Sequence, residues 1–499
     1  MRFSVFVGYG SLVVRFFSAL LFTVFIVRYM SPEDFSVWVF GFSILPLVSM
    51  GYDLWGWAFA RRYVLGVKNS LASGILLNLV YMIISSLALY IAAIYLGGSM
   101  GSSYSYLALF IINNVFNGLS SIASNLGNLL RPDVSMSSLI IFELSRVSLA
   151  YVFVRLLGMG LSGAILSPAI ASALSSLYII SVLRRSGLIT LQWSGVFGEI
   201  SVLLRMSVIG SINSVAGFLW NIDRVLMTLV ARYGEAVSYL GVAYSLRGIV
   251  SQITSVPAIV AYAKLLREEK YLPRDLIYMT LVISAPVLIY SITLSKPLVT
   301  LLNPYYVDMY RVVFLVMIDG FLSGLASIFI GILYGVERRD LEARAIRDLM
   351  RTSIGRIQIM NLSRASLFAL GSLVYSLLIR LDLVCQDPLE VVVVISLLLM
   401  ILTTSYLVIL LREVVSKKSL GVDLREMINI FVSALLSNLF LVATGAWGIE
   451  ILSITRDLVR VIIPLTASLG IYLIILYALS SWFRGFAKDL VKYLLEKYF

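Results

Sequence analysis

Apolar runs of roughly 18 residues or more recur from one end of this chain to the other, and such runs are typical of transmembrane helices. The 499-residue chain is 60% hydrophobic and only 13% charged, which is too little charge to cover a soluble protein of this size. The alternating segments of about ten residues that mark a transmembrane β-barrel are not evident. The sequence therefore predicts an all-α integral membrane protein.

We predict about fourteen transmembrane helices, each near the roughly 20 residues that cross a bilayer. Their limits are 4–30, 35–60, 70–97, 104–130, 136–158, 160–183, 201–231, 238–264, 275–302, 310–335, 362–383, 390–411, 427–446 and 460–483. Lys and Arg crowd alternate loops, including 264–274 and 338–364. Because cytoplasmic loops carry this excess, we predict a multi-pass protein of the cell membrane with both termini cytoplasmic. The stretch 337–351 predicts either a basic amphipathic helix on the membrane surface or a plain basic loop.

Two stretches of the chain resemble each other. Residues 26–43 and 230–245 both contain Arg-Tyr, then an acidic residue, a serine and an aromatic residue. The first surrounds the first predicted outer turn and the second surrounds the fourth, so spans one and seven are predicted equivalents in parallel repeats. This predicts six-helix lobes at 1–200 and 201–415 around a central cavity. Two extra C-terminal helices and a basic cytoplasmic tail follow at 416–499.

Several charged residues lie inside the predicted spans. Asn221, Asp223 and Arg224 interrupt the apolar stretch 218–233. A charge in hydrocarbon is costly unless it is paired or faces water, so it indicates a functional site by default. At about 1.5 Å per residue, the other deep residues are Arg15, Arg146 and Arg247, with the acids Glu143 and Asp319.

Two roles are considered for these charged residues: structural ion pairing and ligand binding. Glu143 and Arg146 are three positions apart on one helix and can neutralise each other. Asp223 and Arg224 point about 100° apart on a continuous helix and cannot pair side by side. We therefore predict Arg247, on the next helix, as the partner of Asp223. The deep arginines outnumber the deep acids, so at least one arginine is predicted to remain for an anionic ligand.

Guanidinium forks suit the oxygens of phosphate or pyrophosphate. The predicted substrate-binding residues are Arg15, Arg146, Asn221, Arg224 and Arg247. Asn221 either binds sugar hydroxyls or joins helices by hydrogen bonds. Asp223, Asp319 and Glu143 are predicted as coupling or ion-pair residues, and Asp319 either carries a coupling cation or pairs with an arginine.

The rare residue types exclude several kinds of chemistry. The chain has no histidine and a single cysteine, Cys385, so we expect no metal site, no cofactor and no histidine-based catalysis. The net charge of +12 is explained first by basic cytoplasmic loops, and an anionic ligand is the second explanation. No nucleic-acid partner is expected, and we predict a monomer.

Two motifs carry a family resemblance. Arg28-Tyr-Met-Ser-Pro-Glu-Asp-Phe35, after the span that holds Arg15, resembles the start of polysaccharide exporters of the lipid-linked oligosaccharide flippase type. Trp220-Asn-Ile-Asp-Arg-Val-Leu226, followed by Ala243-Tyr244, is similar to their seventh and eighth spans. These exporters belong to the multidrug/oligosaccharidyl-lipid/polysaccharide exporter superfamily. The resemblance covers roughly residues 1–415.

The resemblance implies alternating access between two lobes, driven by the membrane potential or an ion gradient. It implies that an anionic lipid-linked glycan moves from the cytoplasmic to the outer leaflet past cavity arginines, here Arg15, Arg224 and Arg247. Membrane lipids and glycan-assembly enzymes are the other expected partners. One alternative is a drug or small-molecule exporter of the same superfamily. A membrane glycosyltransferase or polymerase is the enzymatic alternative, disfavoured because no predicted outer loop is long enough for a catalytic domain, so we predict a protein that is not an enzyme.

Overall fold

The computed structural model describes residues 18, 21–64, 66–266, 273–336, 352–384, 386–417 and 422–498. These residues form helices joined by short connections, and no strand occurs among them. The described chain is therefore all-α, as predicted. Arg15 and the stretch 337–351, for which an amphipathic helix was one prediction, lie outside the described residues.

In the first half, the described residues form eight α-helices after a helical stretch at 21–29. They are α1 (Pro32–Val64), α2 (Asn69–Met100), α3 (Phe110–Leu130), α4 (Pro132–Ala150), α5 (Gly160–Arg185), α6 (Val196–Leu219), α7 (Ile222–Leu229) and α8 (Gly234–Leu266). A 3-10 helix, Ser102–Leu109, precedes α3, and a π-helical segment, Tyr151–Leu156, continues α4.

Among the described residues, the second half contains eight more. They are α9 (Pro273–Thr293), α10 (Ser295–Leu302), α11 (Val313–Val336), α12 (Ser353–Arg380), α13 (Pro388–Lys417), α14 (Leu424–Ala443), α15 (Ile454–Leu479) and α16 (Ser481–Tyr498). Short 3-10 helices at Pro304–Arg311 and Ala446–Gly448 connect neighbouring helices.

Ten of the described helices are long and apolar enough to cross a membrane. They match ten of the predicted spans, from Pro32–Val64 to Arg456–Leu479. The predicted spans 136–158, 201–231 and 238–264 correspond to α4, to α6 with α7, and to α8. These helices carry Glu143, Arg146, Arg224 and Arg247, the charged residues that the sequence places deep within predicted spans.

Three predicted spans differ from the helices in the structure. The span 201–231 is broken between α6 and α7, and the span 275–302 is broken at Leu294, between α9 and α10. The span 362–383 begins too late, because α12 already starts at Ser353. Arg356 and Arg364 were both counted with the basic loop 338–364, although the predicted span 362–383 already included Arg364; both lie within α12.

The chain divides into two compact units, Met1–Gly241 with Gln358–Val391 and Val242–Ile357 with Val392–Phe499. In the first unit, Trp55 and Phe59 of α1 pack with Leu71 of α2 and Leu126 of α3 in a buried cluster. In the second unit, the predicted extra helices α14 and α15 are joined to α9 by polar contacts: the Tyr290 hydroxyl lies 2.6 Å from Ser437 Oγ. The lobe limits at 200 and 415 stay a prediction.

Candidate functional site

The break between α6 and α7 lies where the sequence places its most unusual polar residues. Asn221 separates the two helices with φ −115° and ψ 1°. Its backbone N–H bonds to the Phe218 carbonyl, three residues back, at 2.8 Å. The Gly217 carbonyl, which this N–H would bond in an unbroken helix, instead accepts a hydrogen bond from Asn221 Nδ2 at 2.8 Å. The side chain of Asn221 thus replaces the helical hydrogen bond that the break removes.

The same amide also holds the candidate binding arginine. Asn221 Oδ1 accepts a hydrogen bond from Arg224 Nη2, on the first turn of α7. The side chain of Asn221 thereby links the last turn of α6 to the first turn of α7. Non-helical backbone at membrane depth is tolerated where it is buried in protein or lines a water-filled cavity, and broken helices form binding sites in many transporters.

Arg224 also lies beside Asp223, which corrects one prediction. Arg224 Nε is 3.7 Å from Asp223 Oδ1, and the two side chains are 14% and 0% exposed. Both residues lie on α7. The arginine side chain, bonded through Nη2 to Asn221, passes close enough to the neighbouring carboxylate for an ion pair. Arg224 remains half-buried at the start of α7.

The structure pairs Arg247 with Asp319, an acid other than the predicted Asp223. Arg247 Nε on α8 lies 2.5 Å from Asp319 Oδ2 on α11, and Arg247 Nη2 donates to Ser323 Oγ at 3.0 Å. Asp319 is fully buried. The contact joins residues 72 positions apart, so hydropathy and helical spacing had no means of finding it. Of the two interpretations of Asp319, this geometry favours pairing with an arginine.

Glycine permits the close approach of α8 and α11. A Cβ at Gly320 would lie 2.6 Å from the Arg247 carbonyl oxygen, and one at Gly324 would lie 2.4 Å from Thr254 Cβ. Small residues four apart are a recurrent means of packing membrane helices. Gly320 follows Asp319 directly. The close backbone contact at Gly320 therefore also brings the Asp319 carboxylate next to the Arg247 guanidinium.

The third predicted pair forms on a single helix. Arg146 Nη2 lies 2.5 Å from Glu143 Oε2 on α4. The Arg146 guanidinium also lies 4.5 Å from the ring centre of Phe22 and 5.3 Å from that of Phe142. A carboxylate and two aromatic faces account for much of this cation's surroundings, which favours the structural interpretation of Arg146 and Glu143.

A residue that the sequence assigned to a loop belongs to the surroundings of the break. The Arg364 guanidinium lies 4.3 Å from the ring centre of Trp220, the residue before Asn221. Trp220 Nε1 donates to Asn361 Oδ1 at 3.3 Å, and its ring stacks on Phe368 at 5.4 Å. A tryptophan directly before Asn-x-Asp-Arg was the available signal, but its partners on α12 were not predictable without the fold.

The predicted site residues therefore form separate groups. Asn221, Asp223 and Arg224 belong to the first unit, as do Glu143 and Arg146, whereas Arg247 and Asp319 belong to the second. Within the described ranges, no cluster of three or more His, Cys, Asp or Glu residues suits a metal ion.

The fold is similar to those of known transporters, although no protein-family model and no curated sequence matches the chain. The lipid II flippase MurJ in an inward closed conformation has 16% identity and a TM-score of 0.61, and the match covers 98% of this chain and 100% of that one. An inward-facing MATE multidrug resistance transporter of the MOP superfamily has 13% identity and a TM-score of 0.57, covering 81% and 96%. MATE in a straight conformation has 15% identity and a TM-score of 0.50, covering 83% and 95%. This chain therefore has the multi-helix fold of MATE transporters and MurJ.

Proposed function

We propose that this protein is a flippase that moves an anionic lipid-linked glycan precursor across the cell membrane by alternating access. The observation that carries the proposal is Arg224, held by Asn221 at a helix break in a fold shared with a lipid II flippase. Breaks of this kind serve transporters because they bring backbone and side-chain groups to a ligand at membrane depth. A guanidinium at such a break suits a phosphate or diphosphate headgroup.

The remaining features of the proposal come from the sequence. The excess of Lys and Arg in alternate loops supports cytoplasmic termini and transport toward the outer leaflet. Arg15, before the motif at Arg28–Phe35, joins Arg224 as a proposed contact of the anionic headgroup. The proposed partners are the glycan lipid, the surrounding lipids and glycan-assembly enzymes; a monomer without a cofactor is proposed, as is the absence of catalysis.

Export of small molecules is the second candidate, and the similarity to MATE transporters favours it. A cationic drug would need a carboxylate in the binding site. Asp223 and Asp319 each lie within ion-pair distance of an arginine. The arginine offsets the negative charge of each carboxylate and so weakens its attraction for a cationic drug. The charge of the cargo therefore distinguishes the two candidates.

Complementation tests the flippase proposal. Cells that lack an endogenous lipid-linked glycan flippase would receive the wild-type gene, Arg224→Ala or the control Arg131→Ala. Arg131 directly precedes α4 and is paired at 2.7 Å with the exposed Asp133 in the first turn of that helix. We expect rescue by wild type and Arg131→Ala, and accumulation of the lipid-linked precursor with Arg224→Ala at equal membrane abundance. Full rescue by Arg224→Ala, or efflux of cationic dyes without rescue by wild type, would overturn the proposal.

A further inference from the structure

We propose that one face of α3 binds the uncharged sugars of the glycan through four polar side chains, which we call the α3 stripe: Asn117, Ser121, Ser124 and Asn128. The inference rests on the proposed function, because it names the part of the same cargo that this helix contacts. It concerns a different helix from the one that carries Arg224, and a ligand group without charge.

The helix α3 is unusually polar for a candidate membrane span. It contains five asparagines among its 21 residues and no Asp, Glu, Lys or Arg. An asparagine amide is costly in hydrocarbon unless it forms hydrogen bonds within the protein or reaches water. Each amide of α3 therefore needs either a neighbouring helix or a wet space, and the structure distinguishes the two cases.

On one side, α3 is packed against α5. The buried Asn113 donates from Nδ2 to the Ile165 carbonyl at 2.6 Å. Gly127 lies almost four turns further along the same side, where an added Cβ would lie 3.2 Å from Ile179 Cγ2. The amide of Asn113 is therefore a structural contact between two closely packed helices.

On the other side, α3 is packed against α1 and α2. The buried Asn114 donates from Nδ2 to Ser85 Oγ at 2.7 Å and accepts from the Tyr52 hydroxyl at 3.3 Å. Asn125 lies further along this side, and a Cβ at Gly56 of α1 would be 2.6 Å from its Nδ2. These two amides are therefore part of the helix packing as well.

The α3 stripe lies between the two packed sides. Its members are spaced by four, three and four positions, which places them on one helix face. The first three are half-buried and Asn128 is exposed. No described residue forms a hydrogen bond with the side chain of Asn117 or Ser124, and Asn128 Oδ1 accepts one from Ser135 Oγ at 2.5 Å. The stripe thus keeps amide and hydroxyl groups for water or a ligand.

The stripe is closed at one end and open at the other. Phe110, seven residues before Asn117 and on the same face, is buried, and its ring centre lies 5.2 Å from that of Phe42 on α1. Asn128, at the other end, is exposed. The stripe therefore opens toward the C-terminal end of α3, the predicted cytoplasmic side. It faces water rather than lipid, because lipid would leave its polar groups unsatisfied.

The chemistry of the stripe matches a neutral ligand that is rich in hydroxyl groups. An asparagine amide and a serine hydroxyl both donate and accept hydrogen bonds, as sugar hydroxyls do. A helix without charged residues offers no ion pair to an anionic headgroup or to a cationic drug. From Asn117 to Asn128 the stripe extends about 16 Å along the axis, which is room for more than one sugar ring.

Binding measurements on the purified full-length protein in lipid nanodiscs test this inference. The probes are polyprenyl diphosphate and the same lipid carrying a neutral disaccharide, and the readout is the ratio of their dissociation constants. The variants are Asn117→Leu, which is nearly isosteric, Asn117→Gln, which keeps an amide, and Ser124→Ala, which only deletes a hydroxyl. Asn429→Leu is the matched control, because it removes one half-buried amide from another candidate span, α14. Thermal unfolding of each variant reports its folding separately.

For wild type and Asn429→Leu, we expect the disaccharide lipid to bind about tenfold more tightly than the bare lipid, the effect of one or two net hydrogen bonds. Asn117→Leu should reduce that ratio to about twofold and Ser124→Ala to about fourfold, with affinity for the bare lipid within about twofold of wild type. Asn117→Gln should retain most of the ratio, because it keeps the amide. A purely structural role for the stripe would lower both affinities together and leave their ratio intact.

Thiol labelling tests the wet face of α3 without a ligand. In the Cys385→Ser background, we expect Ser124→Cys to react with a water-soluble thiol reagent. Leu119→Cys, at a half-buried position on the far side of α3, should stay unlabelled, because a thiol in an apolar environment does not ionise to the reactive thiolate. An unreactive Ser124→Cys would overturn the inference, since the stripe would then not face water.

Each opposing result of the binding test has a distinct meaning. A wild-type ratio in both Asn117→Leu and Ser124→Ala overturns the role of the α3 stripe and leaves the flippase proposal standing. Equal affinity of the wild type for both probes overturns sugar binding alone. If the wild type binds neither probe, both this inference and the anionic lipid-linked cargo of the proposed function fail.

Discussion

At the scale of single residues, Asn221 explains how this chain keeps a broken helix at membrane depth. Its amide donates to the Gly217 carbonyl and accepts from Arg224, so one side chain satisfies the end of α6 and positions the first turn of α7. An unsatisfied carbonyl is costly where no water reaches it. Asparagine is suited to this position because its amide has both a donor and an acceptor.

The substitution Asn221→Ala tests this dual role. It removes the hydrogen bonds to the Gly217 carbonyl and from Arg224, so we expect destabilisation of about 1 kcal/mol, the typical net contribution of such a bond. We also expect at least a tenfold loss of transport (about 1.4 kcal/mol in the transition state), because Arg224 loses its orientation. Asn429→Ala is the control, since Asn429 donates one hydrogen bond to the Leu479 carbonyl at the other end of the chain. Thermal unfolding and flipping in proteoliposomes give the two readouts. Wild-type transport by Asn221→Ala would contradict the proposed role.

Arg247 and Asp319 lead to a second prediction, on stability. Removing one member leaves the other charge uncompensated, and Asp319 is fully buried, so each single alanine variant should lose about 3 kcal/mol. The double alanine variant should lose less than the sum, because neither charge then remains. A double-mutant cycle by chemical denaturation measures this coupling.

The exposed pair Arg131–Asp133 is the control for that cycle. We expect a coupling below about 1 kcal/mol there, because solvent screens the charges. Additive losses at Arg247 and Asp319 would show that their contact contributes nothing specific.

The sequence predicted which residues are unusual but, of their pairings, only the local one between Glu143 and Arg146. Asn221, Asp223 and Arg224 were identifiable because each is costly in an apolar span, and Glu143 with Arg146 because their spacing is local. The contacts of Arg247 with Asp319 and of Arg364 with Trp220 join helices far apart in sequence. Their partners depend on packing that a single sequence does not reveal.

At the scale of helices, hydropathy located the long spans but not their interruptions. The break at Asn221 and the one at Leu294 leave the average hydropathy of the surrounding residues nearly unchanged, so both spans were predicted as continuous. The start of α12 was misplaced for the opposite reason. Arg356, Gln358 and Arg364 make its first turns polar, although these residues lie in a helix from Ser353 onward.

The contact of α8 with α11 provides a prediction at this scale. The substitution Gly320→Ala introduces a Cβ 2.6 Å from the Arg247 carbonyl oxygen, and backbone atoms cannot move aside as a flexible side chain can. We expect the helices to separate, with a loss of about 1–3 kcal/mol from overpacking. Thermal unfolding in detergent measures the loss.

Gly470 on α15 is the matched control, because a Cβ there would meet nothing within 4 Å. Alanine is favoured over glycine inside a helix by roughly 1 kcal/mol, so Gly470→Ala should be neutral or slightly stabilising. Equal effects of the two substitutions would mean that the approach of α8 to α11 does not limit stability.

At the scale of the whole molecule, different observations support the fold and the proposed cargo. Similarity to MurJ and MATE at 13–16% identity establishes the fold, and the same fold occurs in proteins with different cargo. The charge of the cargo is inferred instead from the arginines at the helix break. The direction of transport depends on a third property, the orientation in the membrane, which is a prediction from the distribution of Lys and Arg in the loops.

Cys385 makes that orientation testable without engineering a site. It is the chain's one cysteine and lies in sequence between α12, ending at Arg380, and α13, starting at Pro388. In the proposed orientation, with both termini cytoplasmic, this connection would be on the outer side. We therefore expect a membrane-impermeant maleimide to label Cys385 in intact cells. The variant Cys385→Ser should remain unlabelled. Asp133 is exposed and lies on the cytoplasmic side in the proposed orientation, so Asp133→Cys in that background should be labelled only after permeabilisation. The reverse labelling pattern would invert the topology and, with it, the proposed direction of transport.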